Sequence, residues 1–233
     1  MDSTSRLGML LSPLIELLYP SLCPICHRRL SYRSEVAICP LCTLEIQPYA
    51  PEIHRGEERL YSCPLFCNLY ALYTYQKGCA IQQLIHAIKY HGYRSAAHYI
   101  GRAALYGMNW STQNYDLIIA VPVEPNRLQK RGYNQSLLIA KELAKGLAIE
   151  ATDKLIRRKR GSHTQTNLGR IERMNNMKHT FAQNAQASKF LKGKHILLVD
   201  DVLTTGSTLL EMCYLLEVAG VRSIDIFVAA VAL

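Results

Sequence analysis

Residues 197–208 read Leu-Leu-Val-Asp-Asp-Val-Leu-Thr-Thr-Gly-Ser-Thr, and this stretch decides the fold. An apolar run, Ile196 to Val199, ends in two adjacent carboxylates, Asp200 and Asp201. Thr204, Thr205, Gly206, Ser207 and Thr208 follow, and a helix pattern then starts at once. Leu209, Met212, Leu215, Leu216 and Ala219 form its apolar face, and Gly220 suits its stop. A buried strand running through a short hydroxyl-rich loop into a helix N-terminus is suited to a phosphate. Converging N–H groups and the helix dipole both favour an anion there. The two carboxylates would repel a bare phosphate, so they face another part of the ligand: sugar hydroxyls or a bound Mg²⁺. The segment therefore predicts a sugar-phosphate site.

Two other phosphate loops fit less well. A Walker A loop needs a lysine between its last glycine and the Ser/Thr, and here Ser207 follows Gly206 directly. A phosphoaspartate phosphatase would show Asp-x-Asp, and here the aspartates are adjacent. The rest of the chain supports a parallel α/β sheet flanked by helices. Leu69 to Tyr75, Leu117 to Val123, His195 to Val199 and Ile224 to Val231 read as strands. Helical spacing covers Ala80 to Tyr90 and Ala96 to Tyr106, and Asn134 is a good N-cap for a helix through about Leu147. Ligands in such sheets bind at the carboxyl ends of strands, where Val121-Pro122-Val123 and Asp200-Asp201 lie.

The chain has 233 residues, long enough for one domain and a small module. Cys23-x2-Cys26 and Cys39-x2-Cys42 are paired knuckles with the spacing of a closed, structural Zn²⁺ site. Cys63 and Cys67 could make a weaker site with His54, although buried or exposed thiols are the simpler reading. Cys79 and Cys213 read as core residues on helices. Residues 1–52 then form a helix and zinc module, and 53–233 the main domain, with 51–68 as a polar, irregular link. Residues 1–23 lack the basic start and unbroken apolar run of a secretory signal, and no stretch reaches the ~20 apolar residues of a membrane span. A cytoplasmic protein is expected, in which a metal site suits the cysteines better than disulfides do.

The net charge is +9. Residues 154–178 hold eight basic residues and one acid, so they carry +7 of it. A mobile basic loop at about 157–180 is expected. It could close over a phosphorylated ligand or track a nucleic-acid backbone. It contains no aromatic residue before Phe181 for base stacking.

The 199–208 segment resembles the signature of type I phosphoribosyltransferases. The chain as a whole resembles the ComF (competence protein F, GntX-like) family, in which a zinc module precedes a phosphoribosyltransferase domain. Further matches are Leu84 to Gly92, Val121-Pro122-Val123, Arg127 with Arg131 to Gln135, and Gln165 to Arg173. Glu124 departs from the pattern, since the family often has histidine there. The resemblance implies binding of phosphoribosyl pyrophosphate (PRPP) with Mg²⁺. Asp200 and Asp201 would be the catalytic pair at the ribose hydroxyls, directly or through Mg²⁺. Val202, Leu203, Thr204, Thr205, Gly206, Ser207 and Thr208 would bind the donor and its 5′-phosphate. Pro122 would lie near the pyrophosphate, with Lys89, Arg127 and Arg131 to neutralise it. Gln165, Thr166, Arg170 and Arg173 would belong to a lid. The resemblance also brings in single-stranded DNA and DNA-uptake proteins as partners. The acceptor, and whether transfer occurs at all, stay open. The alternative is a DNA-binding accessory protein in which PRPP is regulatory or vestigial.

Overall fold

The computed structural model describes residues 20–30, 37–110, 114–159, 180–184 and 187–233. The predicted N-terminal helix and the lid residues Gln165, Thr166, Arg170 and Arg173 lie outside them. After the cysteine knuckles come short helices α1 (Pro40–Glu45) and α2 (Pro51–His54) and a 3-10 turn, Gly56–Leu60. Strand β1 (Phe66–Tyr75), α3 (Ala80–Tyr90), α4 (Arg94–Gly107), β2 (Leu117–Ala120), α5 (Pro125–Arg131), α6 (Gln135–Leu147) and β3 (Ala151–Thr152) follow. The chain continues through β4 (Ile156–Arg158), β5 (Phe181–Gln183), α7 (Ala187–Leu191), β6 (His195–Leu203), α8 (Ser207–Val218) and β7 (Ser223–Ala232).

Five strands make one sheet in the order β1-β7-β6-β2-β3, with every pairing parallel. Because strand side chains alternate, the continuous apolar run of β2 feeds both faces. Ile118 and Ala120 join a core with α3, α4 and α6, whereas Leu117 and Ile119 join one with α7, α8 and Leu60. The cysteine module is continuous with the first core, since Cys23, Ile38 and Cys42 cluster with Ile81 and Leu84 of α3. A backbone bridge from Pro48 to Tyr73 ties it to β1. Among the described residues, no helix is long and apolar enough to cross a membrane.

Three expectations need correction. Residues 51–68 are not an irregular link: two short helical segments occupy them, and Leu60 and Cys63 are buried. The basic segment is ordered at its start, because β4 pairs antiparallel with β5. Arg157 and Arg158 therefore stand on a ribbon. The strand expected at 117–123 stops at Ala120, leaving Val121-Pro122-Val123 to lead into α5.

The sheet also buries a carboxylate. Asp225 of β7 is fully buried at the end opposite Asp200 and Asp201. It accepts from the Tyr115 hydroxyl (2.8 Å) and the Asn68 amide (3.0 Å). A buried carboxylate is tolerated only when so satisfied, and removing it strands its donors. Asp225→Ala should destabilise the fold by about 3 kcal/mol, and Tyr115→Phe by about 1 kcal/mol. Urea unfolding with an unchanged midpoint for both variants would refute this account.

Candidate functional site

Strand β6 does not end at Val199, as the apolar run suggests, but continues through both aspartates to Leu203. Its pairing with β2 stops at Ala120–Val199, while its pairing with β7 continues from Asp200–Val228 to Leu203–Val231. The carboxylates thus lie where β2 has turned away, and the N-terminus of α6 fills the space. Asn134 caps that helix, accepting from the Ser136 and Leu137 N–H groups at 3.0 and 3.4 Å. Its amide donates to the Val121 carbonyl (3.1 Å) and to Asp153 (3.0 Å). The helix start is thereby pinned to the loop leaving β2.

So placed, α6 serves both aspartates. Ser136 Oγ donates to Asp200 Oδ1 at 3.0 Å, and Gln135 Nε2 donates to Asp201 Oδ2 at 3.1 Å. The Asp201 N–H donates to Asp200 Oδ1 at 2.8 Å. From α3, Lys89 Nζ reaches Asp201 Oδ2 at 2.6 Å. Burial and the neighbouring Asp201 charge push the Asp200 carboxyl up to about 7, against the hydrogen bonds and Lys89. For Lys89, burial disfavours the charge, yet the Asp201 and Asp200 carboxylates outweigh it and hold the pKa above the ordinary lysine value.

The loop after β6 turns at Gly206, whose φ of +81° is left-handed. A side chain there would also sit 3.0 Å from the Arg59 carbonyl oxygen. Arg59 of the 3-10 turn braces the same loop, its guanidinium donating to the carbonyls of Thr204 (2.7 Å) and Leu203 (3.4 Å). Ser207 and Thr208 open α8, and their backbone belongs to its N-terminal turn. Val202 is half-buried, Leu203 is buried, and Thr204 and Thr205 are exposed. Asp200, Thr204, Gly206 and Thr208 border a hollow of about 20 Å³.

Of the other predicted residues, Pro122 is buried just past the end of β2. Arg131 donates to Gln135 and so joins the network around Asp201. Arg127 is exposed and pairs with Glu124 at 3.4 Å. Sequence reasoning missed Ser136 and Arg59, and it did not connect Gln135 to Asp201. Each meets its partner only across the fold: Gln135 and Asp201 are 66 positions apart in sequence, and Arg59 and Thr204 are 145 apart.

The four knuckle sulfurs converge. The Sγ atoms of Cys23, Cys26, Cys39 and Cys42 all lie within 4.8 Å of one another, and Cys26 and Cys39 are 3.6 Å apart. Sulfurs about 2.3 Å from a tetrahedral metal stand about 3.8 Å apart, so the set could hold one ion. Burial opposes ionisation of Cys23, but N–H groups of Cys26, Cys39 and Ile25 bring its thiol down to about 7. Burial and the adjoining sulfurs push Cys42 far up. Clustered thiolates repel one another unless a cation joins them. Among the described residues no second metal-ligating group forms: Cys63 is buried with a hydrogen bond to Cys213, and Cys67 is exposed. Cys213 is a core residue of α8, but Cys79 is the half-buried N-cap of α3.

Residues 134–232 match the phosphoribosyl transferase domain. The chain is 36% identical to Competence protein F of Haemophilus influenzae over 112 residues, 48% of each chain. It is 30% identical to DNA utilization protein YhgH of Salmonella typhimurium over 212 residues, 88% of each chain. A solved structure of adenine phosphoribosyltransferase from Thermoanaerobacter pseudethanolicus aligns at a TM-score of 0.37 and 20% identity, covering 58% of this chain and 80% of that one. The all-parallel sheet, the strand-loop-helix at 195–218 and the domain match together define a phosphoribosyltransferase-domain protein. Within that class, the chain belongs to the ComF family, with the cysteine cluster at its N-terminal end.

If Arg59 fixes the β6–α8 loop, replacing it should loosen ligand binding there without unfolding the sheet. Arg59→Met should weaken binding at this loop by about tenfold, the worth of one charged hydrogen bond. Calorimetry with PRPP and Mg²⁺ gives the affinity and thermal melting the stability. An unchanged affinity would remove Arg59 from the site.

Proposed function

We propose that the β6–α8 loop binds PRPP with Mg²⁺. The observation that carries this reading is the pair Asp200–Asp201, held by Lys89, Gln135 and Ser136 directly before a glycine turn into a helix N-terminus. Carboxylates accept from the vicinal hydroxyls of a ribose, and the N–H and hydroxyl groups of residues 204–208 suit its 5′-phosphate. Asp200 and Asp201 also offer the hard oxygen ligands that Mg²⁺ takes, and the ion would add charge neutralisation at the pyrophosphate. Pro122 borders the pyrophosphate end, where Lys89 and Arg131 place positive charge. Arg127, from its place on α5, would act only at the rim. Gln165, Thr166, Arg170 and Arg173 would close over the ligand as a lid.

Displacing pyrophosphate from the anomeric carbon builds positive charge on the sugar. Asp200 and Asp201 are suited to stabilise it by position and charge. We therefore assign the chain as a phosphoribosyltransferase-like cytoplasmic protein whose acceptor is open, with residues 1–52 as a zinc module and 53–233 as the transferase-like domain. A role in DNA uptake is supported by relatives named Competence protein F and DNA utilization protein. The basic excess at 154–178 favours a second reading, a single-stranded-DNA-binding accessory of the uptake machinery in which PRPP is regulatory.

Titration calorimetry with PRPP and Mg²⁺ tests the site. The wild type should bind, and the double variant Asp200→Asn/Asp201→Asn should not; equal heats from both, or none from either, would sink the assignment. The pH dependence is specific. The folded Asp200 carboxyl, raised from 3.8 to about 7, keeps its proton below that pH. The stability it contributes is full below about 3.8 and is lost as pH rises through about 7. Mg²⁺–PRPP needs the charged form, so affinity should rise between about pH 6 and 8. Part of that rise should vanish in Asp200→Asn, which also controls for titration of the ligand phosphate.

Four converging cysteine sulfurs support Zn²⁺, which would be part of the folding energy of so small a module. Freshly purified, reduced protein should carry one zinc per chain by elemental analysis. Cys39→Ser should lose it and melt at lower temperature. Protein that is folded and zinc-free would overturn the module.

A further inference from the structure

Lys89 meets Asp201 at 2.6 Å, but from an insecure place. It lies in the last turn of α3, which ends one residue later at Tyr90. The last turn of a helix leaves its carbonyls without helical partners, and helix ends fray. A lysine side chain also gives up much rotamer freedom when it is held in one place. So close an ion pair from such a position requires that the turn itself be held.

Residues 131–135 supply the hold. Helix α5 stops at Gly132, whose φ of +77° is left-handed, and the chain turns there into Tyr133. Tyr133 is buried, and its hydroxyl donates to the carbonyl of Ile88, the residue before Lys89. That carbonyl is one of the last four of α3, so the phenol supplies a donor the helix cannot. The Arg94 guanidinium, at the start of α4, lies 4.7 Å from the centroid of the Tyr133 ring. Burial raises the Tyr133 phenol above its ordinary pKa, against Arg131 and Arg94, so the hydroxyl keeps the proton it donates. On the other side of Lys89, the Arg131 guanidinium lies 5.6 Å from the ring centroid of Tyr90. Arg131 also donates to Gln135, which in turn donates to Asp201 at 3.1 Å. One short segment therefore grips the turn that carries the lysine and also the carboxylate that the lysine meets.

We propose that Tyr133 is a positioning residue of the aspartate site: by holding the Ile88 carbonyl it fixes the last turn of α3 and aims Lys89 at Asp201. Tyr133 touches neither aspartate in this role and acts through the lysine. For its effect on a ligand this role rests on the PRPP reading, whereas the placement of Lys89 does not. A buried tyrosine hydroxyl needs an acceptor in any fold. A bond made for packing alone would leave Lys89 indifferent to its loss.

Tyr133→Phe removes the hydroxyl and keeps the ring, so it tests the role on the folded, full chain. The first readout needs no ligand. Lysines are labelled with N-hydroxysuccinimidyl acetate, and the rate at each site is followed by peptide mass spectrometry. Lys89 should react slowly in the wild type, because its ammonium is held against Asp201, and several times faster in Tyr133→Phe. The exposed Lys77 and Lys145 should keep their rates. Tyr115→Phe is the control, since it deletes another buried hydroxyl at the far end of the sheet and should leave Lys89 slow. The second readout is calorimetry with PRPP and Mg²⁺. Tyr133→Phe should weaken binding by about fivefold, the worth of one hydrogen bond, and Tyr115→Phe should not. In a Lys89→Met background, Tyr133→Phe should cost nothing further, because the lysine through which it acts is gone. The proposal is overturned if the Lys89 rate is unchanged in Tyr133→Phe, or if Tyr115→Phe raises it equally. It is equally overturned if the loss of affinity persists in full in the Lys89→Met background. A wild type that gives no heat with PRPP, together with a Lys89 freed by Tyr133→Phe, would sink the PRPP reading and leave the positioning role standing.

Discussion

Two adjacent carboxylates buried at the end of a central strand are a constraint that the surrounding elements must answer. Each would be costly without partners. The answer comes from three directions. Lys89 arrives from α3, Gln135 and Ser136 from the first turn of α6, and the Asp201 N–H from the strand itself. The helices on one face of the sheet are therefore positioned by polar contacts at their ends as well as by apolar contacts along their sides. Asn134 is the hinge of this arrangement. One side chain caps α6 and holds the segment that leaves β2.

The two aspartates are chemically unequal even though they are neighbours. Lys89 and Gln135 take Asp201, whereas Asp200 has a hydroxyl and one N–H. Burial, and then the Asp201 charge, raise the Asp200 carboxyl. Alternation along the strand separates them as well, since successive residues face opposite sides. On the far side of the loop, Arg59 holds the carbonyls of Leu203 and Thr204. The β6–α8 loop is thus restrained from behind by a segment that precedes the first sheet strand.

Much of this was legible in the sequence because it is local. Strand, loop and helix at 196–220 are consecutive, the Asn134 cap is followed at once by its helix, and the cysteine spacing is short. What stayed hidden depends on distant pairing. Nothing near Lys89 marks it as the partner of Asp201. The polar residues Glu52, Glu57 and Glu58 made 51–68 read as a link, although Leu60 is fully buried and Arg59 reaches the loop. The basic segment read as a loop from about 157, because the pairing of Ile156–Arg158 with Phe181–Gln183 spans too many intervening residues to be seen as a pattern. The end of β6 was misjudged for a related reason. Charged residues normally close an apolar strand, and here they continue it, since β7 pairs with the backbone as far as Leu203.

The unequal lengths of β2 and β6 have a further consequence. Over residues 200–203, β6 is held by β7 on one side, while β2 has already departed on the other. The sheet changes there from a wall into a ledge, with its floor anchored and its outer margin given over to side chains. A ligand arriving at that margin meets donors and acceptors whose positions were settled when the strand was laid down. For the ledge itself, little rearrangement would be left for the moment of encounter.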